Sequence, residues 1–258
     1  MRFSLHIRGG RPATSQFADR LADEIAATGG SLAEDPGEPP DMVLAVGGDG
    51  TMLGAVQQAV ELDVPVLGFN LGTLGFLTEA EPDDLSDVIK RLTTGDFEVV
   101  ERLTVVASIG GVSGVGINDV VVEKIDSTRL VSLTVVIDGT EFATYRADGL
   151  IVATPTGSTA YSFSAGGPVV DPHVEALVLT PVASHSLFDR PLVLPADSDI
   201  AVTVRRDRQV RVNVDKTDLG QLREGQTVRI GKGERPARFV TFGSRTFAGL
   251  VREKFGLD

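Results

Sequence analysis

The stretch Met42-Val43-Leu44-Ala45-Val46-Gly47-Gly48-Asp49-Gly50-Thr51 reads as a strand, a tight turn and the start of a helix. Five apolar residues in a row do not alternate between core and solvent. They describe a strand buried on both faces, as in a parallel sheet covered by helices. The glycines end the strand, and Thr51 to Leu62 continues as a helix. Outward from this unit the same alternation recurs. Phe3 to Ile7 is a short strand, and Gln16 to Ala27 carries Phe17, Leu21 and Ile25 at helical spacing before Gly29-Gly30 stops it. Residues 31–40 are rich in Glu, Asp, Pro and Gly and read as a solvated loop. Val64 to Phe69 is a further strand. Pro82 to Leu92 is a helix with Pro in its first turn, acids near its start, Lys90 and Arg91 near its end and Gly95 beyond. Residues 1–96 are therefore expected to form a doubly wound α/β domain with a mostly parallel sheet.

From Phe97 the period changes to short β-branched runs: Val99–Ile109, Gly116–Glu123, Leu130–Ile137, Thr140–Arg146, Leu150–Ala153, Ile200–Arg205, Gln209–Val214, Thr227–Ile230 and Arg238–Thr241. Asp138-Gly139 is a hairpin signal between two of them. Residues 97–242 are expected to form an all-β, sandwich-like domain. Residues 243–258 form a last segment whose helix, Thr246 to Phe255, is expected to pack back on the first domain.

Composition narrows the function classes. The 258 residues have ordinary globular proportions, 42% hydrophobic and 23% charged. A net charge of −12 argues against a phosphate-backbone binder, and the absence of Trp argues against a base-stacking platform, so no nucleic-acid partner is expected. With no Cys, thiolate zinc sites and cysteine nucleophiles are excluded, and three His make a His-rich metal site improbable. No apolar run approaches the roughly 18–20 residues of a membrane span, and the N-terminus is too polar for a secretory signal. A cytoplasmic protein with no membrane partner is expected.

Three segments carry candidate chemistry. Asp49 sits at the carboxyl end of a buried strand, beside a helix N-terminus, where open α/β sheets bind ligands. The neighbouring glycines let backbone approach a phosphate. Asp49 can take a proton from a hydroxyl nucleophile, fix its orientation, or hold a divalent ion between phosphates; the plain alternative is a helix N-cap. Asn118-Asp119 opens a strand, and an amide beside a carboxylate can read a base edge and clamp ribose hydroxyls; the alternative is a polar strand entry. Asp148 to Pro168 joins a carboxylate turn, a buried strand from Leu150 to Ala153 and a hydroxyl-rich loop from Thr154 to Ser164. Small hydroxyl residues and glycine suit a polyhydroxylated, phosphate-bearing molecule. Arg129 and Arg146 are the best local cations. Tyr161 can stack on a base or fill the core. Neither G-x-x-x-x-G-K-[ST] nor G-x-G-x-x-G after a strand is present, which disfavours Walker-type NTPases and standard Rossmann dehydrogenases.

Gly47–Thr51, Asn70-Leu71-Gly72 with Gly75–Thr78, Asn118-Asp119 and Asp148–Pro168, in this order, resemble the NAD kinase family over nearly the whole chain. Gly-Gly-Asp-Gly alone is shared with lipid kinases and phosphofructokinases; the Asp148–Tyr161 segment is the specific part. The resemblance implies a two-domain kinase that phosphorylates the adenosine 2′-hydroxyl of NAD, using ATP or polyphosphate and a divalent cation, Mg2+ or Mn2+, whose ligands are left open. It implies Asp49 as base or orienter of that hydroxyl and Gly50 in contact with the dinucleotide. Asn118 and Asp119 would hold the adenine and ribose, and Asp148 the nicotinamide carboxamide, with Arg146 beside it. Arg129, Thr156, Thr159, Ala160, Tyr161, Ser162, Phe163, Ser164 and Asp215 complete the implied NAD-binding set. A homodimer or homotetramer is implied, in which a neighbouring subunit completes the site. The chain departs from the pattern in having Asp119 where members often carry Glu, and Lys216 where many carry Gly. Two other readings compete: a lipid or sugar kinase sharing the glycine turn, and an NAD-sensing module without turnover.

Overall fold

The computed structural model describes residues 1–7, 12–33, 38–72, 75–206, 208–243 and 245–257. The chain divides into two compact units, residues 1–101 with 237–258 and residues 102–236. Among the described residues no helix is long and apolar enough to cross a membrane.

The first unit runs β1 (Arg2–Ile7), α1 (Pro12–Ala27), β2 (Ser31–Leu32), β3 (Met42–Val46), α2 (Asp49–Leu62), β4 (Val66–Phe69), α3 (Leu85–Thr94) and β5 (Glu98–Arg102). Its sheet has the order β2-β1-β3-β4 followed by a late strand and β5. β1 pairs in parallel with β2 and β3, and β3 with β4. All five residues of β3 are buried, as its unbroken apolar run requires. Met42, Leu44 and Val46 face Phe17, Leu21 and Ile25 of α1 and Leu85, Val88 and Ile89 of α3, and the Phe17 and Phe69 rings lie 5.3 Å apart. The opposite face takes α2, whose Gln58 bonds Ser4 and His6 of β1. Helices on both faces make the sheet doubly wound.

Element boundaries moved where chain chemistry is local. α1 starts at Pro12, four residues before the expected start at Gln16, because proline's fixed φ and missing N–H suit a first helical position. Pro82–Asp84 form a separate 3-10 turn ahead of α3. Within the expected loop 31–40, Ser31 and Leu32 pair with β1; residues 34–37 lie outside the described set.

The second unit is β6 (Val105–Ile109), β7 (Val112–Gly116), β8 (Asp119–Lys124), β9 (Val131–Ile137), β10 (Thr140–Ala147), β11 (Gly149–Ala153), α4 (Tyr161–Ser164), β12 (Ala176–Val182), β13 (Leu192–Pro195), β14 (Ile200–Arg205), β15 (Val210–Val214), β16 (Thr217–Leu222) and β17 (Thr227–Lys232). The chain then returns to the first unit with β18 (Ala237–Thr241), which pairs in parallel with β4, and α5 (Phe247–Phe255). The run Arg238–Thr241, grouped by composition with the β domain, thus belongs to the first sheet. α5 belongs to the first unit, and its Phe255 ring lies 6.2 Å from that of Phe76.

Two six-stranded sheets, β10-β9-β14-β17-β6-β7 and β13-β12-β11-β8-β15-β16, enclose one core. Val120, Val122, Leu150, Val152, Leu177 and Leu179 of the second sheet share it with Val105, Leu133, Val135, Val202 and Ile230 of the first. β7, β12, β13 and β16 were not expected. Pro181 disguises β12, yet β13 pairs with β12 only over Ala176–Leu179, so the missing N–H forfeits no bond on that side.

Tyr145 is fully buried in this core, and its hydroxyl has no hydrogen-bond partner among the described residues. Tyr145→Phe is expected to raise unfolding free energy by about 1 kcal/mol, because it removes a desolvated group that gains nothing in return. Urea unfolding of the two proteins measures the difference, and a loss of stability would show that the hydroxyl has a partner after all.

Candidate functional site

Two clusters gather the candidate residues, one in each unit. In the first, β3 is followed by Gly47, whose φ of 152° excludes most side chains, and Gly48 occupies the N-cap of α2 without a side-chain cap. Asp49 is therefore not the N-cap but the first helical residue, where a negative charge complements the helix dipole. Its two carboxylate oxygens accept from the backbone N–H groups of Phe76 and Leu77, each at 3.1 Å. A Cβ at Gly75 would collide with Asp49 Oδ1, so the Gly75–Leu77 backbone can come this close only through glycine. The carboxylate is half-buried and aimed by two amides. Gly50 follows in the same half-buried turn.

The second cluster lies on the outer face of the β13-β12-β11-β8-β15-β16 sheet. Val120 and Val122 of β8 point into the sandwich, so Asp119, Val121 and Glu123 point out. Val121, Ile151, Ala153 and Val178 form an apolar floor against which Ala165 and Val170 pack. The expected loop 154–164 is a 3-10 turn, Thr156–Thr159, followed by the single turn of α4. Its inner hydroxyls hold it down: Thr154 donates to the Ile117 carbonyl, Ser158 bonds both N–H and C=O of Val170, and Ser162 pairs with Thr180 at 2.9 Å. Ser162 is fully buried, and Thr156 is buried too. Thr159 and Ala160 are half-buried, and Tyr161, Phe163 and Ser164 are exposed.

Asp215 organises the strand entry opposite this segment. It sits at the two-residue turn between β15 and β16 with φ 51°, and its carboxylate accepts from the N–H groups of Ile117, Asn118 and Asp119 at 3.0, 2.8 and 3.2 Å. The Asn118 carbonyl accepts from Thr154 N–H, and Gly157 packs so closely on it that a Cβ there would overlap the carbonyl. The Asn118 backbone is fully engaged, while its side-chain amide forms no hydrogen bond among the described residues.

Asp119 is 5% exposed, and burial, with the Asp215 carboxylate second, pushes its pKa up to about 7. Burial also raises the pKa of Asp215, against the pull of its three backbone donors and Lys216. In the unfolded chain an aspartate gives up its proton near its ordinary value of 3.8. Between there and about 7 the folded state holds more protons, so stability falls as pH rises through that window and levels off above it. Asp119→Asn is expected to flatten this slope in urea unfolding across the window; an unchanged slope would assign the titration elsewhere.

Asp148, at the turn from β10 to β11, forms an ion pair with Lys124, whose ammonium also donates to the Ser127 carbonyl at 3.0 Å. Tyr161 is 42% exposed, which removes the core reading. Its pKa is raised by burial first, then by the negative charges of Glu123, Asp148 and Asp119, so these four groups share one face. Asn213 donates to Glu123 at 3.0 Å. Arg146 is exposed, with a guanidinium that makes no ion pair or hydrogen bond among the described residues. Arg129 is exposed and lines a separate cleft of about 310 Å³ with Lys124 and Asp126. Sequence reasoning missed Lys124, Glu123 and Asn213; the i, i+2, i+4 spacing of Asp119, Val121 and Glu123 on one strand was the available signal for Glu123.

Among the described residues no group of three or more acidic or His side chains could hold a metal ion. Residues 13–97 match the model of the ATP-NAD kinase N-terminal domain, and residues 117–242 that of the ATP-NAD kinase C-terminal domain. An NAD kinase from Moorella thermoacetica is 40% identical over 243 residues, covering 92% of this chain and 78% of its own. The chain belongs to the NAD kinase family. A second family member, the NAD kinase of Gemmatimonas aurantiaca, is 40% identical over 252 residues, covering 94% of this chain and 86% of its own. Among solved structures of NAD kinases, that from Archaeoglobus fulgidus in complex with ATP aligns with a TM-score of 0.80 and 28% identity, over 99% of this chain and 98% of its own. Yeast NADH kinase complexed with NADH has the same fold, with a TM-score of 0.89 at 24% identity over 100% of this chain and 88% of its own.

Proposed function

We propose that this chain transfers the terminal phosphoryl group of ATP, or of polyphosphate, to the adenosine 2′-hydroxyl of NAD, making NADP. Family membership sets the reaction, and the observation that carries the residue-level reading is Asp49. It is a half-buried carboxylate at the carboxyl end of β3, fixed by two backbone amides. Phosphoryl transfer requires chiefly positioning and charge neutralisation. In this reading Asp49 orients the 2′-hydroxyl. Carboxylates are weak bases at neutral pH, so Asp49 takes the proton late, once attack has made it acidic. Gly50 leaves room for the dinucleotide.

Asn118, whose amide forms no hydrogen bond among the described residues, and Asp119 hold adenine and ribose; Tyr161 offers a ring for stacking; Asp148, with Arg146 nearby in sequence, meets the carboxamide. Arg129, Thr156, Thr159, Ala160, Phe163 and Ser164 remain in the proposed set. Asp215 supports it by accepting from three backbone N–H groups, and Ser162 by pinning its turn to the Thr180 hydroxyl. The described residues offer no cage for a divalent ion. Mg2+ or Mn2+ would be carried mainly by the phosphates and water, with Asp49 as the available protein oxygen, and would neutralise phosphate charge. A cytoplasmic location and a homodimer or homotetramer complete the reading, on the family resemblance.

The test is to incubate the protein with NAD, Mg2+ and either donor, and to detect NADP with an NADP-specific dehydrogenase. An NAD analogue lacking the adenosine 2′-hydroxyl should yield no phosphorylated product. Phosphorylation of that analogue would move the acceptor elsewhere.

A further inference from the structure

We propose that the C-terminal segment from Thr241 to Phe255 is a positioning element for Asp49, acting through residues 75–81. This rests on Asp49 acting at the acceptor hydroxyl. The two amides that aim its carboxylate belong to Phe76 and Leu77, which lie in neither helix nor strand. Their placement depends on what holds their own stretch of chain. The C-terminal segment grips that stretch at three points. At its base, Glu79 accepts from Thr241 Oγ1 and from Phe242 N–H, both at 2.9 Å. One step on, Arg245 donates to Glu81 at 3.1 Å, and the same carboxylate accepts from Asn70. At its tip, the Phe76 ring lies 6.2 Å from that of Phe255, and the Lys254 ammonium stands 5.7 Å from its centroid.

The helix that supplies the last grip, α5, has no fully buried residue. It therefore contributes little to the core of its unit, and its contacts with Phe76 can be removed without dismantling the fold. Reaction rates are far more sensitive than stability to small errors in placement, and about 1 Å can cost two orders of magnitude. Slackening the grip should thus lower the chemical step before it lowers the melting temperature.

The experiment uses the full chain with Phe255→Ala and Arg245→Gln, each alone and combined with Asp49→Asn. NADP formation, calorimetric NAD affinity and thermal melting are measured. The expected result is a fall in kcat of about tenfold, NAD affinity little changed, and recovery in Phe255→Leu, which restores apolar bulk. In the Asp49→Asn background the same substitutions should change nothing further, because the group they position is gone. Unchanged kcat in both single variants, beside an active wild type, would overturn the proposal. So would a proportional loss in the Asp49→Asn background, which marks a general structural role. A wild type that makes no NADP would overturn the kinase reading itself, a result separable from both.

Discussion

Asp49→Asn is expected to lower NADP formation by about two to four orders of magnitude, the usual contribution of a positioned general base. The substitution keeps the side-chain volume and one of the two oxygens that receive the Phe76 and Leu77 amides at 3.1 Å. It removes the negative charge that draws the hydroxyl proton. The loss should therefore fall on kcat, while NAD affinity measured by calorimetry stays close to wild type, the pattern of an interaction made in the transition state. One amide loses its acceptor, so a modest fall in stability, about 1–3 kcal/mol, accompanies the loss of rate. A variant that keeps full kcat would remove Asp49 from the chemistry and leave it as a loop fastener.

The second large effect is on folding. Asp215→Ala strips the acceptor from three backbone N–H groups, those of Ile117, Asn118 and Asp119. At about 1–3 kcal/mol for each donor left desolvated, the sum is a large part of the roughly 5–15 kcal/mol that holds an average protein together. Alanine is also poorly suited to a φ of 51°. Asp215→Asn should be much milder, because asparagine tolerates that conformation and keeps an acceptor. It should also lower the pKa of Asp119 by removing the neighbouring carboxylate. Chemical denaturation of the two variants separates the cases, and equal stability in both would show that the three N–H groups find other partners.

The sequence made the first unit legible because its cues are local. An apolar run of five, a glycine turn and a stripe at Phe17, Leu21 and Ile25 each name an element without reference to anything distant. The late entry of β18 into that sheet was not legible, since pairing across more than 150 positions leaves no periodic trace in either strand. In the second unit the period-2 runs announced a sandwich, but β12 was hidden by Pro181 and β16 by the polar Thr217-Asp218. In the two clusters, residue types pointed to Asp49 in the first unit and to Asn118, Asp119, Asp148 and Tyr161 in the second. Their partners were not readable: that Lys124 pairs with Asp148, or that Ser162 turns inward to Thr180, follows from register and from the path of 154–170 over the sheet. The departure at Lys216 has a physical correlate, since its charge favours the ionised form of Asp215.

The most direct test places wild type and Asp49→Asn side by side with NAD and Mg-ATP, following NADP with an NADP-specific dehydrogenase and NAD binding by calorimetry. The account predicts NADP from the wild type and a residual of about one per cent or less from a variant that still binds NAD. A folded wild type that binds NAD yet makes no NADP, with ATP or with polyphosphate, would contradict it and favour an NAD-sensing module.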